Sequence, residues 1–287
     1  MSTAVEVSKL VKKYGNNTVI PGLTFSVKQG EIFALLGANG AGKTTTLECI
    51  EGIRTYNGGD IRVNGRLGVQ LQSSSLIENI TAMEAYKLFC LWNKAKVDKE
   101  ILQSFGIMEF RNKQYRMLST GQKRRLHLAI ALINDPDIVI LDEPTAGLDV
   151  EGRVSLHNEI RKIRDSGKTI LMASHDMAEV ESLCDRIAIL KEGKLAFLGS
   201  ADELTGQHFG ESRITIHARN PFPQVKLVYS KADELEKNHF TVTTTELADA
   251  LYELLTLLKE MDNEVLDIKI ERASLEERFI EIAKEGA

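Results

Sequence analysis

No apolar run in this chain approaches the ~18 residues needed to cross a bilayer, so no membrane span is expected. The N-terminus, Met1-Ser-Thr-Ala-Val-Glu6, lacks the basic-then-apolar pattern of a secretory signal. Cysteine is scarce: Cys49, Cys90 and Cys184 stand far apart and are odd in number. That excludes a disulfide frame and a cysteine metal site, and it reads as free thiols in a reducing cytosol. An excess of positive charge is missing too. The net charge of -5 argues against a dedicated nucleic-acid binder. No solenoid-length repeat and no low-complexity tract is present. The 287 residues have room for one large domain or two smaller ones.

What is there begins with Gly37-Ala-Asn-Gly-Ala-Gly-Lys43-Thr44-Thr45. It follows the apolar run Ile32–Leu36 and precedes Thr46-Leu-Glu-Cys-Ile50, which reads as a helix. Strand, glycine loop and helix in that order make a phosphate-binding loop. Glycines let backbone N–H groups turn toward an anion, and the helix N-terminus adds partial positive charge. Lys43 then reaches the β- and γ-phosphates, and the Thr44 hydroxyl is placed to ligate Mg²⁺. Gly37, Asn39, Gly40, Ala41, Gly42, Lys43, Thr44 and Thr45 are therefore candidate nucleotide ligands.

Elsewhere Val5–Leu10 and Thr24–Val27 alternate like half-buried strands, separated by turn formers at Tyr14–Asn17. From Ser73 to about Leu118 the pattern turns helical. The runs Asp137–Asp142 and Lys168–Ala173 suit strands of a parallel sheet buried on both faces. Arg186–Leu198 reads as a hairpin turning at Glu192-Gly193. After about Gly210 strands at Arg213–His217, Phe240–Thr244 and Val265–Ile270 mix with helical spacing at Leu247–Lys259 and Leu275–Ala283. The fold class is α/β: a phosphate-loop NTPase with a mostly parallel core sheet, an antiparallel β subdomain and a helical subdomain over about 73–125. An ATPase domain over 1–208 and a small α+β domain over 209–287 are expected.

Two further constellations narrow the chemistry. Ile138-Val-Ile-Leu-Asp142-Glu143 ends a buried strand in two carboxylates. Asp142 is suited to hold Mg²⁺ through its water shell, and Glu143 to orient or deprotonate an attacking water. The plainer alternative is a strand end capped by acids. Leu118-Ser-Thr-Gly-Gln122 carries a capping box, Ser119 with Gln122, that opens a helix over Lys123–Ile133. The same exposed N–H groups attract a phosphate, and Gly121 allows close approach.

With these motifs in order, the sequence resembles the ATP-binding subunit of an ABC transporter. The signature here is LSTGQ, with Thr120 where the family usually has glycine, and the likeness covers residues 1 to about 205. The resemblance implies that Tyr14 stacks on adenine; a strand-end core aromatic is the alternative. It implies that Gln72 senses Mg²⁺ and the attacking water, that Asp149 communicates across a dimer interface, and that His175 contacts the γ-phosphate. It also implies that ATP is clasped between the phosphate loop of one copy and the Ser119–Gly121 region of another, with Gln122 beside it, in a homodimer or a heterodimer with a related subunit. The remaining histidines, including His127, His157 and His217, are left as surface or helix residues.

Such a subunit needs a separate membrane-spanning permease, which places it in the cytoplasm, peripheral on the inner membrane face. Met83, Tyr86, Phe89 and Trp92 either supply the partner's docking groove or form the helical subdomain's own core. The tail Ala273–Ala283 resembles that of drug- and polysaccharide-type exporters, which points to export. The alternative is a soluble ATPase acting on ribosomes or DNA. The basic run Lys123-Arg124-Arg125 is expected to face solvent or ribose–phosphate, not nucleic acid.

Overall fold

Alternating apolar residues build the first sheet. The computed structural model describes residues 2–70, 76–206, 212–221, 227–236, 238–272 and 279. β1 (Thr3–Tyr14) pairs antiparallel with β2 (Asn17–Lys28) around a two-residue turn at Gly15 and Asn16. Val5, Val7 and Leu10 of β1 face the core, and the register breaks where Lys9 adopts a positive φ of 49°. β3 (Ile32–Leu36) leaves this sheet, and β4 (Gly58–Val63) joins its other edge, giving the order β2-β1-β4.

The second sheet contains six strands. β5 (Leu67–Val69), β6 (Ile138–Asp142), β7 (Thr169–Ser174), β3 and β8 (Arg186–Lys191) are parallel neighbours in that order, and β9 (Lys194–Gly199) closes the edge antiparallel. Every residue of β3 and β7 is buried, as a sheet covered on both faces requires. Phe25 of the first sheet stacks on Phe33 of the second, with ring centroids 5.5 Å apart and planes 7° from parallel. One apolar cluster thus joins the two sheets.

α1 (Lys43–Ile50) follows the phosphate loop directly. The helical region expected after Ser73 is real but interrupted. α2 (Ala82–Trp92) opens with a Thr81/Glu84 capping box and ends near Lys94, at φ 53°. α3 (Lys99–Ser104) and α4 (Ile107–Phe110) are separated by Gly106, at φ 63°. Tyr86 is fully buried, so it belongs to the subdomain's own core, whereas Leu91 and Trp92 are 74% and 66% exposed. α5 (Thr120–Ala131) begins directly after Ser119, the cap read from the sequence, so Thr120–Gln122 already belong to the helix, and it ends two residues short of Ile133. α6 (Val150–Asp165) and α7 (Met177–Leu183) flank β7 in sequence; α6 buries only Leu156, Ile160 and Ile163.

The chain divides into two compact units, Met1–Ser200 and Ala201–Ala287. The second holds α8 (Ala201–Gly206), β10 (Ser212–Ala218), β11 (Lys231–Glu236), β12 (His239–Thr244), α9 (Leu247–Glu260) and β13 (Val265–Arg272). Its antiparallel sheet runs β11-β12-β10-β13. Ala250, Leu254 and Leu258 of α9 cover Ile214, Ile216, Phe240 and Val242. β11 escapes a reading by alternation because four residues of Lys-Ala-Asp-Glu-Leu-Glu are charged and its two apolar ones stand three apart; as an edge strand it pairs through its backbone.

The β8–β9 turn supports the phosphate loop from below. Glu192 and Gly193 both take positive φ, 49° and 74°, as a two-residue hairpin turn demands. Gly193 donates its N–H to Ala41 O at 3.1 Å, so the turn is tied directly to the loop backbone. A Cβ on Gly193 would lie 1.9 Å from Val19 O. Gly193→Ala is therefore expected to destabilise the N-terminal unit by at least about 2 kcal/mol and to weaken nucleotide binding. Thermal denaturation with and without ATP checks this; an unchanged midpoint contradicts it.

Candidate nucleotide site

Parallel pairing brings the C-terminal ends of the core strands to one edge of the sheet. Leu36 lies opposite Ser174, and Asp142 opposite Ala173. The phosphate loop, the paired carboxylates and the histidine loop therefore emerge side by side, where ligands bind in open α/β sheets.

The phosphate loop is shaped by its glycines at the positions where nothing else fits. Gly40 and Gly42 have φ of 85° and 98°, and Gly42 caps α1 in the left-handed region. A Cβ on Gly37 would sit 2.6 Å from Leu190 O. Asn39 and Gly40 are exposed, Ala41 is buried and Thr45 is half-buried. Lys43 is only 6% exposed and is held at the loop's centre: its Nζ donates to Gly37 O at 2.7 Å and Ala38 O at 3.3 Å.

The carboxylates meet this lysine. Glu143 Oε1 lies 3.7 Å from Lys43 Nζ, and Glu143 Oε2 lies 2.7 Å from His175 Nδ1. A carboxylate only accepts, so Nδ1 of His175 carries the proton in that bond. Glu143 itself sits at φ 49°, a strained setting for a non-glycine residue, fixed by its N–H donating to Ala173 O at 3.0 Å. The Thr44 hydroxyl donates to Asp142 Oδ2 at 2.9 Å, while Asp142 Oδ1 is buried without a hydrogen-bond partner. Burial raises the Asp142 pKa; the Thr44 hydrogen bond opposes that rise and the Glu143 charge adds to it. An all-oxygen donor set with one orphaned carboxylate oxygen fits a hard divalent cation.

Ser119 and Gln122 form the expected capping box: the Ser119 hydroxyl accepts Gln122 N–H at 3.2 Å, and Gln122 Oε1 accepts Ser119 N–H at 3.1 Å. Ser119, with Gly121, Arg124 and Asp149, lines a cleft of about 500 Å³; Gln122 does not line it. No residue of the phosphate loop lines that cleft among the described residues. Asp149 caps α6 by accepting Gly152 N–H at 2.8 Å.

Tyr14 ends β1 at 41% exposure, which favours an aromatic open to a ligand over a core one. Lys12 Nζ lies 4.7 Å and Arg54 Cζ 5.4 Å from its ring centre. Gln72 lies outside the described residues, as does most of the Ala273–Ala283 segment. Three features gain partners. His127 is a helix residue of α5, as expected, but a buried one at 1%, and it hydrogen-bonds Tyr115 Oη at 3.0 Å. His157 reaches Glu179 at 3.5 Å from the half-buried side of α6. In the basic run, Lys123 and Arg125 lie over the Tyr115 and Phe110 rings, and Arg124 donates to Ala146 O at 3.1 Å. Those cations hold the signature helix in place; each pairs with a residue too distant in sequence for spacing to reveal.

Residues 20–146 match the family described as ABC transporter. The Nod factor export ATP-binding protein I of Paraburkholderia xenovorans (strain LB400) is 37% identical, over 76% of this chain and 78% of its own. The linearmycin resistance ATP-binding protein LnrL of Bacillus subtilis (strain 168) is 29% identical over 97% of each chain. A solved ATP-binding subunit of an ABC transporter superposes with a TM-score of 0.64 at 27% identity, covering 71% of this chain and 93% of that one. The chain belongs to the ABC transporter family as an ATP-binding subunit, a phosphate-loop NTPase whose family hydrolyses ATP.

Glu51, at the end of α1, adds a titratable neighbour that spacing did not flag. Burial, then the charges of Asp142 and Glu48, push its pKa from 4.5 up to about 7. A carboxyl raised in the folded state contributes stability in full below its unfolded pKa and loses it as pH rises through the folded one. Glu51→Gln is therefore expected to raise the melting temperature relative to the parent at pH 8 and to converge with it near pH 4.5. Melting curves across that range check the sign; a gap that widens toward acid contradicts it.

Proposed function

We propose that this chain is the ATP-hydrolysing motor of an exporter, working as a pair of ATPase subunits that drive a separate membrane-spanning permease from the cytoplasmic face. One observation carries the reading. The hydrolytic half-site (Lys43, Asp142, Glu143, His175) and the signature cleft beside Ser119 and Asp149 are separate features of one chain. Each is half of a triphosphate site, and a second copy or a close relative completes it.

In that pair the backbone N–H groups of Gly37, Asn39, Gly40, Ala41 and Gly42 cradle the phosphates, with Thr45 beside them. Lys43 exchanges the Gly37 and Ala38 carbonyls for phosphate oxygens. Thr44, Asp142 and Gln72 would hold Mg²⁺, which would neutralise charge on the phosphates. Tyr14 stacks on adenine. Glu143 orients the water and accepts its proton while His175 pins the second carboxylate oxygen. Ser119, Gly121 and Gln122 of the other copy present helix N-terminal N–H groups to the γ-phosphate, and Asp149 reports on the contact. Donors from both copies act in a water-poor cleft, where they count most. Cleavage to ADP and phosphate removes the bridge, and the pair opens.

The names of the relatives support export, and one is named for it. No observation favours the ribosome- or DNA-directed alternative. The ATPase cassette corresponds to the N-terminal unit, and the smaller unit is an accessory domain. The exposed Leu91 and Trp92 end of α2 is the docking surface for the permease.

Glu143→Gln keeps the shape and removes the base. Turnover is expected to fall roughly 10²- to 10⁴-fold with ATP affinity retained, and the variant should elute as a pair in Mg-ATP. Size-exclusion chromatography and phosphate release measure both; hydrolysis at the parent rate contradicts the assignment.

A further inference from the structure

Helix α6 touches the site at successive turns. Asp149 caps it. One turn on, Arg153 Nη1 donates to Asp176 Oδ2 at 2.8 Å. Another turn on, His157 Nε2 lies 3.5 Å from Glu179 Oε1. Positions 149, 153 and 157 recur at the four-residue spacing that lines up one helix face.

The receiving residues surround His175. Asp176 Oδ1 accepts Glu179 N–H at 3.1 Å, capping α7. Asp176 N–H donates to Ser174 Oγ at 3.0 Å, and that hydroxyl donates to Glu179 Oε2 at 2.6 Å. Ser174 and Glu179 are 0% and 3% exposed, so this ring of hydrogen bonds is rigid. His175 sits between two of its members. Its own side chain is 57% exposed and bonds Glu143.

We propose that Arg153 is a positioning residue that transmits the state of the Asp149 cleft to His175 and Glu143. The proposal rests on the shared-site reading of the function. A partner docking against Asp149 and Gly152 displaces the first turn of α6. Arg153 carries that displacement to Asp176, and the ring moves with it. His175 rides on that ring, so the displacement reaches its 2.7 Å contact with Glu143 and sets that pair in its working geometry. Hydrolysis waits for the second copy. The Arg153–Asp176 pair is 46% and 26% exposed, and such pairs add little to stability. Its value is geometric.

The test uses the full-length chain in Mg-ATP. The parent should hydrolyse ATP cooperatively, with a Hill coefficient approaching about 2 for two coupled sites. Arg153→Ala is expected to lower kcat about tenfold, to bring the Hill coefficient toward 1, and to leave the melting temperature and the Kd of a fluorescent ATP analogue unchanged. Arg153→Lys should recover part of both losses. Arg153→Ala combined with Asp176→Ala should be no slower than the slower single variant. A retained Hill coefficient in Arg153→Ala, or losses that multiply in the double variant, overturns the coupling while leaving the shared site intact. If the parent does not pair in Mg-ATP, the shared-site reading fails and this proposal fails with it.

Discussion

Glu143 is gripped at both of its oxygens, by Lys43 from the phosphate loop and by His175 from the loop after β7. That double contact depends on the parallel sheet. Only strands running the same way deliver their C-terminal ends to one edge, and only a fully buried β3 and β7 hold those ends in register. The backbone of Glu143 is strained to make the arrangement, at φ 49°, and the Ala173 carbonyl locks it. Strain retained at one residue beside a phosphate loop marks a position kept for chemistry.

The electrostatics call for a charged ligand. Acidic groups gather at this edge of the sheet: Asp142 and Glu143 beside Lys43, and Glu51 and Glu48 behind them on α1 and at its end. Two of the acids, Asp142 and Glu51, are pushed toward their neutral forms by burial and by neighbouring negative charge. A triphosphate alone would add repulsion there. A triphosphate carrying a divalent cation would resolve it, because the orphaned Asp142 oxygen and the Thr44 hydroxyl would offer hard ligands and Lys43 a cation for the phosphates. The β8–β9 turn, pressed against Ala41 through Gly193, keeps the loop in place for that exchange.

Much of this was legible because the chemistry constrains residue type at fixed spacing. Gly37 and Gly42 stand where a side chain would clash or strain the backbone, Lys43 and Thr44 follow them at the spacing a phosphate loop needs, and the Ser119/Gln122 box announces its own helix start. Buried runs such as Ile138–Leu141 announced the parallel strands. Other features carry no local signal. β11 is an edge strand of mostly charged residues without apolar alternation, defined by its backbone pairing. His127 sits in a helix whose periodicity does not distinguish its buried face from a polar one, and only Tyr115 completes it. The Arg153–Asp176 and His157–Glu179 pairs join α6 to α7 with β7 between them in the chain, so sequence distance conceals them.

Two chains sharing each triphosphate is the central claim. A crystal structure of the full-length protein with Mg²⁺ and a slowly cleaved ATP analogue is the most direct measurement. It should show the terminal phosphate held by Lys43 of one copy and by the Ser119 helix start of the other, with Glu143 and His175 facing the position of the attacking water. Lys43 and Ser119 of a single polypeptide closing on the same phosphate, or Lys43 turned away from it, would contradict the account.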